Sequence, residues 1–348
     1  MTIALLPWQV APLQDLLARG DKLPHALLLY GQRGIGKVLF ARAMAQSLLC
    51  ETRGERLACG HCAACGWFSQ GNHPDFRELI PEVLGADDDS AADEVGEVGE
   101  AVPAAKEKKK SKFITIDQIR NIGDFMTLST HRDGRRVLLI HPAEALNANA
   151  ANALLKTLEE PQPRTLILLV TDQMGRLLAT LKSRCQRVLL ATPPASVAVL
   201  WLAEQGVTTP AVALAGAGGA PLAALDFAGS QYQAERLAFL EVLASSEADH
   251  LAAAVTFEKS ELANIMTWLQ TWVADIALAH FTGAVRHHQD HHAAIARVAA
   301  RVDLPALFRY ESQLRAARRA IHHPLNPRLL LEHLLLSYSH ATRAMIPA

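Results

Sequence analysis

Gly31-Gln32-Arg33-Gly34-Ile35-Gly36-Lys37-Val38 departs at one position from the phosphate-binding pattern G-x-x-x-x-G-K-[ST]. Gly31, Gly34 and Gly36 would let backbone N–H groups curl around phosphate oxygens, with the positive end of a helix behind them, while Lys37 would reach the β- and γ-phosphates. Val38 stands where a hydroxyl should hold Mg²⁺, so the metal that neutralises a transferred phosphoryl group would lose a ligand. A hydrolysing site also needs an acid where a neighbouring strand ends. The run Val137–Ile140 is of the right kind, yet it leads into His141-Pro142, and Glu144 comes later, on what should be another turn of chain. The loop is therefore expected to hold ATP without hydrolysing it, or to be only a tight turn between strand and helix.

Cys50, Cys59, Cys62 and Cys65 form C-x8-C-x2-C-x2-C. Four thiolates so close in sequence suit tetrahedral Zn²⁺, and the short spacings resemble zinc-ribbon knuckles. His61 is a substitute ligand, but four sulfurs already complete the shell. With no open coordination position in view, the expected role is structural. Reduced, unliganded cysteines are the alternative, and an iron–sulfur cluster fits the long first gap less well.

Other chemistry-bearing groups carry less. His287, His288, His291 and His292 have helical spacing but only Asp290 beside them, and read as a solvated helix end. Arg315, Arg318 and Arg319 read as a solvated face or a subunit contact, and Leu329, Leu330, Leu334 and Leu335 as a buried or interfacial stripe. No Ser/His/Asp set and no carboxylate pair suited to acid–base work is visible.

The elements that must position the loop follow from the pattern. Ala26–Tyr30 is an all-apolar run ending at Gly31, and Lys37–Leu49 then has helical spacing. Further strands are predicted at Phe76–Ile80, Val137–Ile140, Leu166–Val170 and Arg187–Leu190, with helices over Ile116–Thr127 and Ala148–Leu158. About five strands with crossovers make a parallel sheet covered on both faces. Gly85–Lys112 breaks the pattern: the acids from Asp87 to Glu100 are followed by Lys106, Lys108, Lys109, Lys110 and Lys112, with few large apolar residues, so it is read as a disordered surface insertion. After Thr192-Pro193-Pro194 no strand-like run recurs, and helical patterns continue to the end.

Composition bounds the function. With 348 residues the chain is long enough for two or three domains. The 34 Lys and Arg against 35 Asp and Glu exclude attachment to nucleic acid by bulk charge, and 5% aromatics argue against a many-ringed base-stacking platform. No uncharged apolar run is long enough to span a bilayer. Residues 1–10 read poorly as a signal peptide, and the clustered cysteines are unlike the scattered pairs of a secreted scaffold, so a cytoplasmic location is expected.

Several of these residues resemble bacterial clamp-loader AAA+ subunits. His25-Ala26-Leu27-Leu28-Leu29-Tyr30-Gly31, the near phosphate loop and the four cysteines do so, as does Asn152-Ala153-Leu154-Leu155-Lys156-Thr157-Leu158-Glu159-Glu160-Pro161. Leu166–Asp172 is similar to the family's sensor-1 strand, with Thr171 at its polar position, and Ser183-Arg184-Cys185 matches its SRC motif. The resemblance is strong over about residues 5–190 and weaker beyond, where Asn326–Glu332 carries it.

The resemblance implies an α/β AAA+ P-loop domain over 1–190 with a five-stranded parallel sheet and an inserted zinc module at 50–65. A small helical lid over 191–229 and an all-α collar over 230–348 would follow. It implies a degenerate nucleotide site at Gly31, Gly34, Gly36, Lys37 and Thr171, and structural Zn²⁺ on Cys50, Cys59, Cys62 and Cys65. Arg184 is implied to be an arginine finger, acting in trans on ATP held by a neighbouring motor subunit, and Cys185 to be packed. Val38, His141-Pro142 and Leu222, where motor subunits keep a hydroxyl, an acid pair and a sensor-2 arginine, point to a non-hydrolysing subunit. Its implied partners are the gamma/tau motor subunits and the delta subunit, and through them a sliding clamp and primer-template DNA, with Lys156 a modest candidate for a phosphate contact. The alternatives are a hydrolysing motor subunit of the same loader, or a zinc-dependent DNA-binding or repair protein.

Overall fold

Every position of Val137–Ile140 and Leu166–Val170 is apolar, the pattern of strands covered on both faces, and these residues are wholly buried. They belong to a five-stranded parallel sheet of β1 (Ala26–Tyr30), β2 (Phe76–Leu79), β3 (Arg136–Ile140), β4 (Thr165–Thr171) and β5 (Gln186–Leu189), in the spatial order β2-β3-β4-β1-β5. The computed structural model describes residues 3–52, 57–85, 111–127, 134–245, 248–321 and 326–342. Most of the charged segment 85–112, with Lys106, Lys108, Lys109 and Lys110, lies outside them.

The register sets what meets at the strand ends. β1 pairs with β4 so that Tyr30 lies opposite Thr171, and with β5 so that Tyr30 lies opposite Leu189. β4 separates β3 from β1, so the strand ending in His141 is not the neighbour of the glycine loop, as the sequence reading had placed it. Gly31, His141 and Asp172 all follow C-terminal strand ends, the edge at which parallel sheets bind ligands. β5 is an edge strand, with Leu189 60% exposed.

Helices α1 (Val10–Leu17), α2 (Lys37–Leu49), α3 (Ala63–Ser69), α4 (Glu82–Gly85), α5 (Ile116–Asn121), α6 (Gly123–Thr127), α7 (Ala148–Glu159) and α8 (Ala179–Arg184) accompany the sheet. The single helix expected over Ile116–Thr127 is broken at Ile122, beside Gly123, a poor helix former. α7 starts at Asn147, whose side chain accepts from the Ala150 N–H, and it buries Ala150, Ala151, Leu154 and Leu158. Asn152 and Lys156 face solvent.

The chain divides into two compact units, Met1–Thr192 and Pro193–Ala348. The described part of the second is entirely helical. Its first helices, α9 (Ala195–Glu204), α10 (Pro210–Gly216) and α11 (Pro221–Phe227), close over Ala198, Leu202, Leu214, Ala224 and Phe227. A larger core joins α12 (Ser230–Ala244), α13 (His250–Thr256), α14 (Leu262–Thr282), α15 (His292–Ala299), α16 (Leu304–Ala320) and α17 (Pro327–Thr342). The indole of Trp272 donates to Tyr338 Oη, which donates to Leu243 O, each at 2.9 Å; Trp268 donates to Tyr232 Oη at 2.8 Å. The stripe on α17 is Leu331, Leu334, Leu335 and Tyr338, while Leu329, expected within it, is 61% exposed. Arg318 donates to Gln270 Oε1 and Arg315 pairs with Glu311.

His288 departs from the solvated reading. It is buried against Arg236, itself fully buried, whose guanidinium donates to both oxygens of Asp290 at 2.6 and 2.8 Å and to His288 Nδ1 at 2.9 Å. The same guanidinium lies over the Phe227 ring, 4.8 Å from its centroid. Nearby, the buried Asp275 carboxylate accepts the backbone N–H groups of Arg286, His287 and His288. No single helix among the described residues is long and apolar enough to cross a membrane.

Candidate functional site

The glycine loop is braced from behind by the segment before α1. The Gln9 amide donates to Ile35 O at 3.1 Å and Gly36 O at 2.7 Å, and the Trp8 indole donates to Ile35 O at 3.1 Å. Gly36 caps α2 with φ +89°, and a Cβ there would lie 2.5 Å from Leu6 Cδ1 and 2.6 Å from Gln9 Nε2. Only glycine satisfies both the left-handed backbone and the close approach.

Lys37 opens α2 with only 4% of its surface exposed. Its ammonium lies 2.5 Å from Gln32 O and 2.5 Å from Asp172 Oδ1. Because β4 neighbours β1, the residue following Thr171 is brought across to the loop. Thr171 is buried, and its hydroxyl donates to Glu144 Oε2 at 2.7 Å; the Asp172 N–H donates to Glu144 Oε1 at 3.3 Å. Glu144 thus serves the end of β4, although in sequence it comes too late to finish β3.

The two positions that should serve Mg²⁺ are otherwise occupied. Val38 has only an isopropyl group to offer. His141 turns toward β2, where its Nε2 lies 2.7 Å from Glu78 Oε1, and Arg42 Nε of α2 donates to the same oxygen at 2.9 Å. Burial opposes charge on Glu78, but the hydrogen bonds from His141 and Arg42 outweigh it and hold the carboxyl below its usual range. Gly31, Gly34, Gly36, Lys37 and Thr171 therefore do gather at one end of the sheet. Asp172, Glu144, Glu78, Arg42 and Gln9 join them from outside the motif.

Arg184 ends α8, and its side chain is 34% exposed. Nε donates to Glu159 Oε1 at 2.8 Å, one terminal nitrogen contacts the same oxygen, and the other donates to Thr180 O at 3.1 Å. Cys185 beside it is buried, which pushes its thiol up to about 11, as suits a packed rather than a reactive sulfur.

Cys50 follows the last residue of α2, Cys59 and Cys62 lie in the loop before α3, and Cys65 is in its first turn. Their sulfurs all lie within 4.8 Å of one another, with Cys50–Cys62 at 3.9 Å and Cys59–Cys65 at 4.0 Å. Tetrahedral Zn²⁺ with Zn–S bonds of ~2.3 Å requires sulfur separations of about 3.8 Å. Backbone N–H groups of Cys59, Cys62 and Cys65 each point at a cysteine sulfur at 3.4 Å, supporting thiolate character. A hydrogen bond from Thr52, with others from the backbone, holds the Cys59 thiol down to about 5, whereas burial pushes Cys65 up to about 12. All five cysteines are free of disulfides. The donor set and spacing fit one metal ion held by Cys50, Cys59, Cys62 and Cys65, which would cross-link the end of α2 to α3.

A family model described as DNA polymerase III, delta subunit, matches residues 9–194, and one described as DNA polymerase III, delta subunit, C terminal, matches residues 230–340. The DNA polymerase III subunit delta' of Pseudomonas aeruginosa is 35% identical over 78% of this chain and 77% of its own length. That of Escherichia coli strain K12 is 31% identical over 80% and 78%. A solved structure of a DNA polymerase III gamma subunit-related protein from Thermotoga maritima aligns over 96% of this chain and 100% of its own, at 17% identity and a TM-score of 0.42. With both family models matched in order and relatives this similar over most of their length, the chain belongs to the family of DNA polymerase III delta' subunits.

Proposed function

We propose that the chain is a non-hydrolysing member of a DNA polymerase III clamp loader and that Arg184 acts in trans on ATP bound by an adjacent gamma/tau motor subunit. The observation that carries this reading is the contrast in exposure between Lys37 and Arg184. Lys37 is buried against Asp172, with Val38 and His141 where metal-holding groups belong. Arg184 ends a helix with a third of its side chain in solvent. A guanidinium offered to a neighbour's triphosphate spreads charge over several N–H donors and, in related phosphoryl-transfer systems, raises turnover by ~10³–10⁵.

In this reading the cysteines hold structural Zn²⁺, residues 191–229 are a lid, and the helices from Ser230 onward join sister subunits in a collar. The partners are the motor subunits, the delta subunit, the sliding clamp and primer-template DNA, in the cytoplasm. The glycine loop takes ATP only by displacing Asp172 from Lys37, and it does not turn it over.

The test is a reconstituted loader carrying Arg184→Ala. DNA-stimulated ATP turnover should fall while the complex still assembles, and the isolated chain should show none that depends on Lys37. Unchanged turnover in the assembled variant would remove the finger.

A further inference from the structure

The geometry points to Glu159 as the positioning residue for Arg184, an inference that rests on the finger reading above. Glu159 is the last residue of α7, and Arg184 is the last of α8. Both helix ends are anchored in one apolar core: Leu158, next to Glu159, and Leu181 and Cys185, beside Arg184, are all buried there. The carboxylate and the guanidinium therefore meet because their backbones are fixed, not because two long side chains happen to touch.

The mode of contact decides what the pair does. A guanidinium has five N–H donors. Here Nε and one terminal nitrogen engage Glu159 Oε1 along one edge, and the other terminal nitrogen donates to Thr180 O. Two of the five donors are thus hydrogen-bonded, and each terminal nitrogen keeps at least one N–H with which a phosphoryl oxygen can be held. A carboxylate that served as a latch would cover those N–H groups. Glu159 takes the edge instead, selecting one arginine conformer before the neighbour's phosphate arrives, which is preorganisation in the sense that lowers an activation barrier.

Because Glu159 acts through Arg184, its removal should change turnover and not ATP affinity. The experiment uses the reconstituted loader with sliding clamp, primed DNA and ATP, carrying Glu159→Ala, Glu159→Gln or Arg184→Ala in this subunit. Glu159→Ala is expected to lower kcat at least threefold with KM for ATP unchanged. Glu159→Gln, which keeps the accepting oxygen, is expected to restore most of it, and Glu159→Ala added to Arg184→Ala should cost nothing more.

If Arg184→Ala lowers turnover while Glu159→Ala leaves it unchanged or raises it, the positioning role is wrong and the finger stands. If Arg184→Ala itself has no effect, it is the finger reading that fails. A glutamine variant as slow as the alanine one also overturns the positioning role. Should Glu159→Ala not assemble, Glu159→Asp replaces it: withdrawing the carboxylate by one methylene should lower kcat where glutamine does not, and equal rates for the two count against the proposal.

Discussion

Lys37 and Asp172 meet across the ends of adjacent strands, ammonium to carboxylate at 2.5 Å, with the Lys37 side chain 3% exposed and that of Asp172 31% exposed. The carboxylate engages the ammonium that, in the proposed nucleotide site, would face phosphate oxygens. On that reading a polyphosphate would compete with a covalently attached anion.

Asp172→Asn removes that competitor. The variant should bind ATP about tenfold more tightly than the parent, the equivalent of ~1.4 kcal/mol and within the range of one charge-assisted hydrogen bond. Lys37→Ala should abolish the gain, and neither protein should hydrolyse. Fluorescence titration with a labelled ATP analogue in magnesium-free buffer without chelator measures it. Equal affinities for parent and Asp172→Asn would show that the ion pair does not obstruct the loop.

Cys62→Ser should lose metal and stability together, since a structural zinc site contributes folding energy directly. Elemental analysis should find one zinc per chain in the parent and well under half of that in the variant, with a lower melting temperature. A parent protein free of zinc after purification without chelators, or a variant of unchanged stability, contradicts the assignment.

Acid should weaken the helical unit through His288. Burial, with the Arg236 charge next and Asp290 opposing, holds its imidazole neutral down to about pH 3, whereas an unfolded chain protonates near 6.5. Below about pH 6.5 the unfolded state takes up a proton that the folded state refuses. Stability should fall as pH falls, by about 2 kcal/mol between pH 6.5 and 5 for this group alone. His288→Gln keeps an acceptor for Arg236 without titrating and should flatten the slope. Urea midpoints for both proteins at pH 7 and pH 5 give the comparison, and parallel changes would exclude His288 as the cause.

Arg184→Ala should separate assembly from chemistry. The Glu159 bond it loses is between partly exposed side chains, a contact worth ~1 kcal/mol or less, so folding should scarcely change. A thermal melt indistinguishable from that of the parent, beside reduced ATP turnover in the loader, is the expected pair of results. A large drop in melting temperature would mean that the residue is structural.

What the sequence made legible was local. Ala26–Tyr30, Val137–Ile140 and Leu166–Val170 are strands because a doubly covered sheet demands apolar residues at every position, and a linear pattern shows that. The glycine loop and the cysteines were visible because their members lie close in sequence. Asp172 was not, since only the order β3-β4-β1 carries it to Lys37. Glu78 reaches His141 from another strand, and Glu159 reaches Arg184 from another helix. His288 looked solvated among its neighbours because Arg236, which buries it, lies 52 positions away.

The phosphate-type loop and the thiol cluster share one support. Lys37 begins α2 and Cys50 follows its last residue, so the 13-residue helix spans roughly 20 Å between them, with ten of its residues buried. A change at the cysteine terminus would reach the lysine only along this encased helix. A preparation stripped by a chelating column would thus present a frayed far end behind an intact-looking lysine. Its nucleotide measurements would describe a differently sprung molecule.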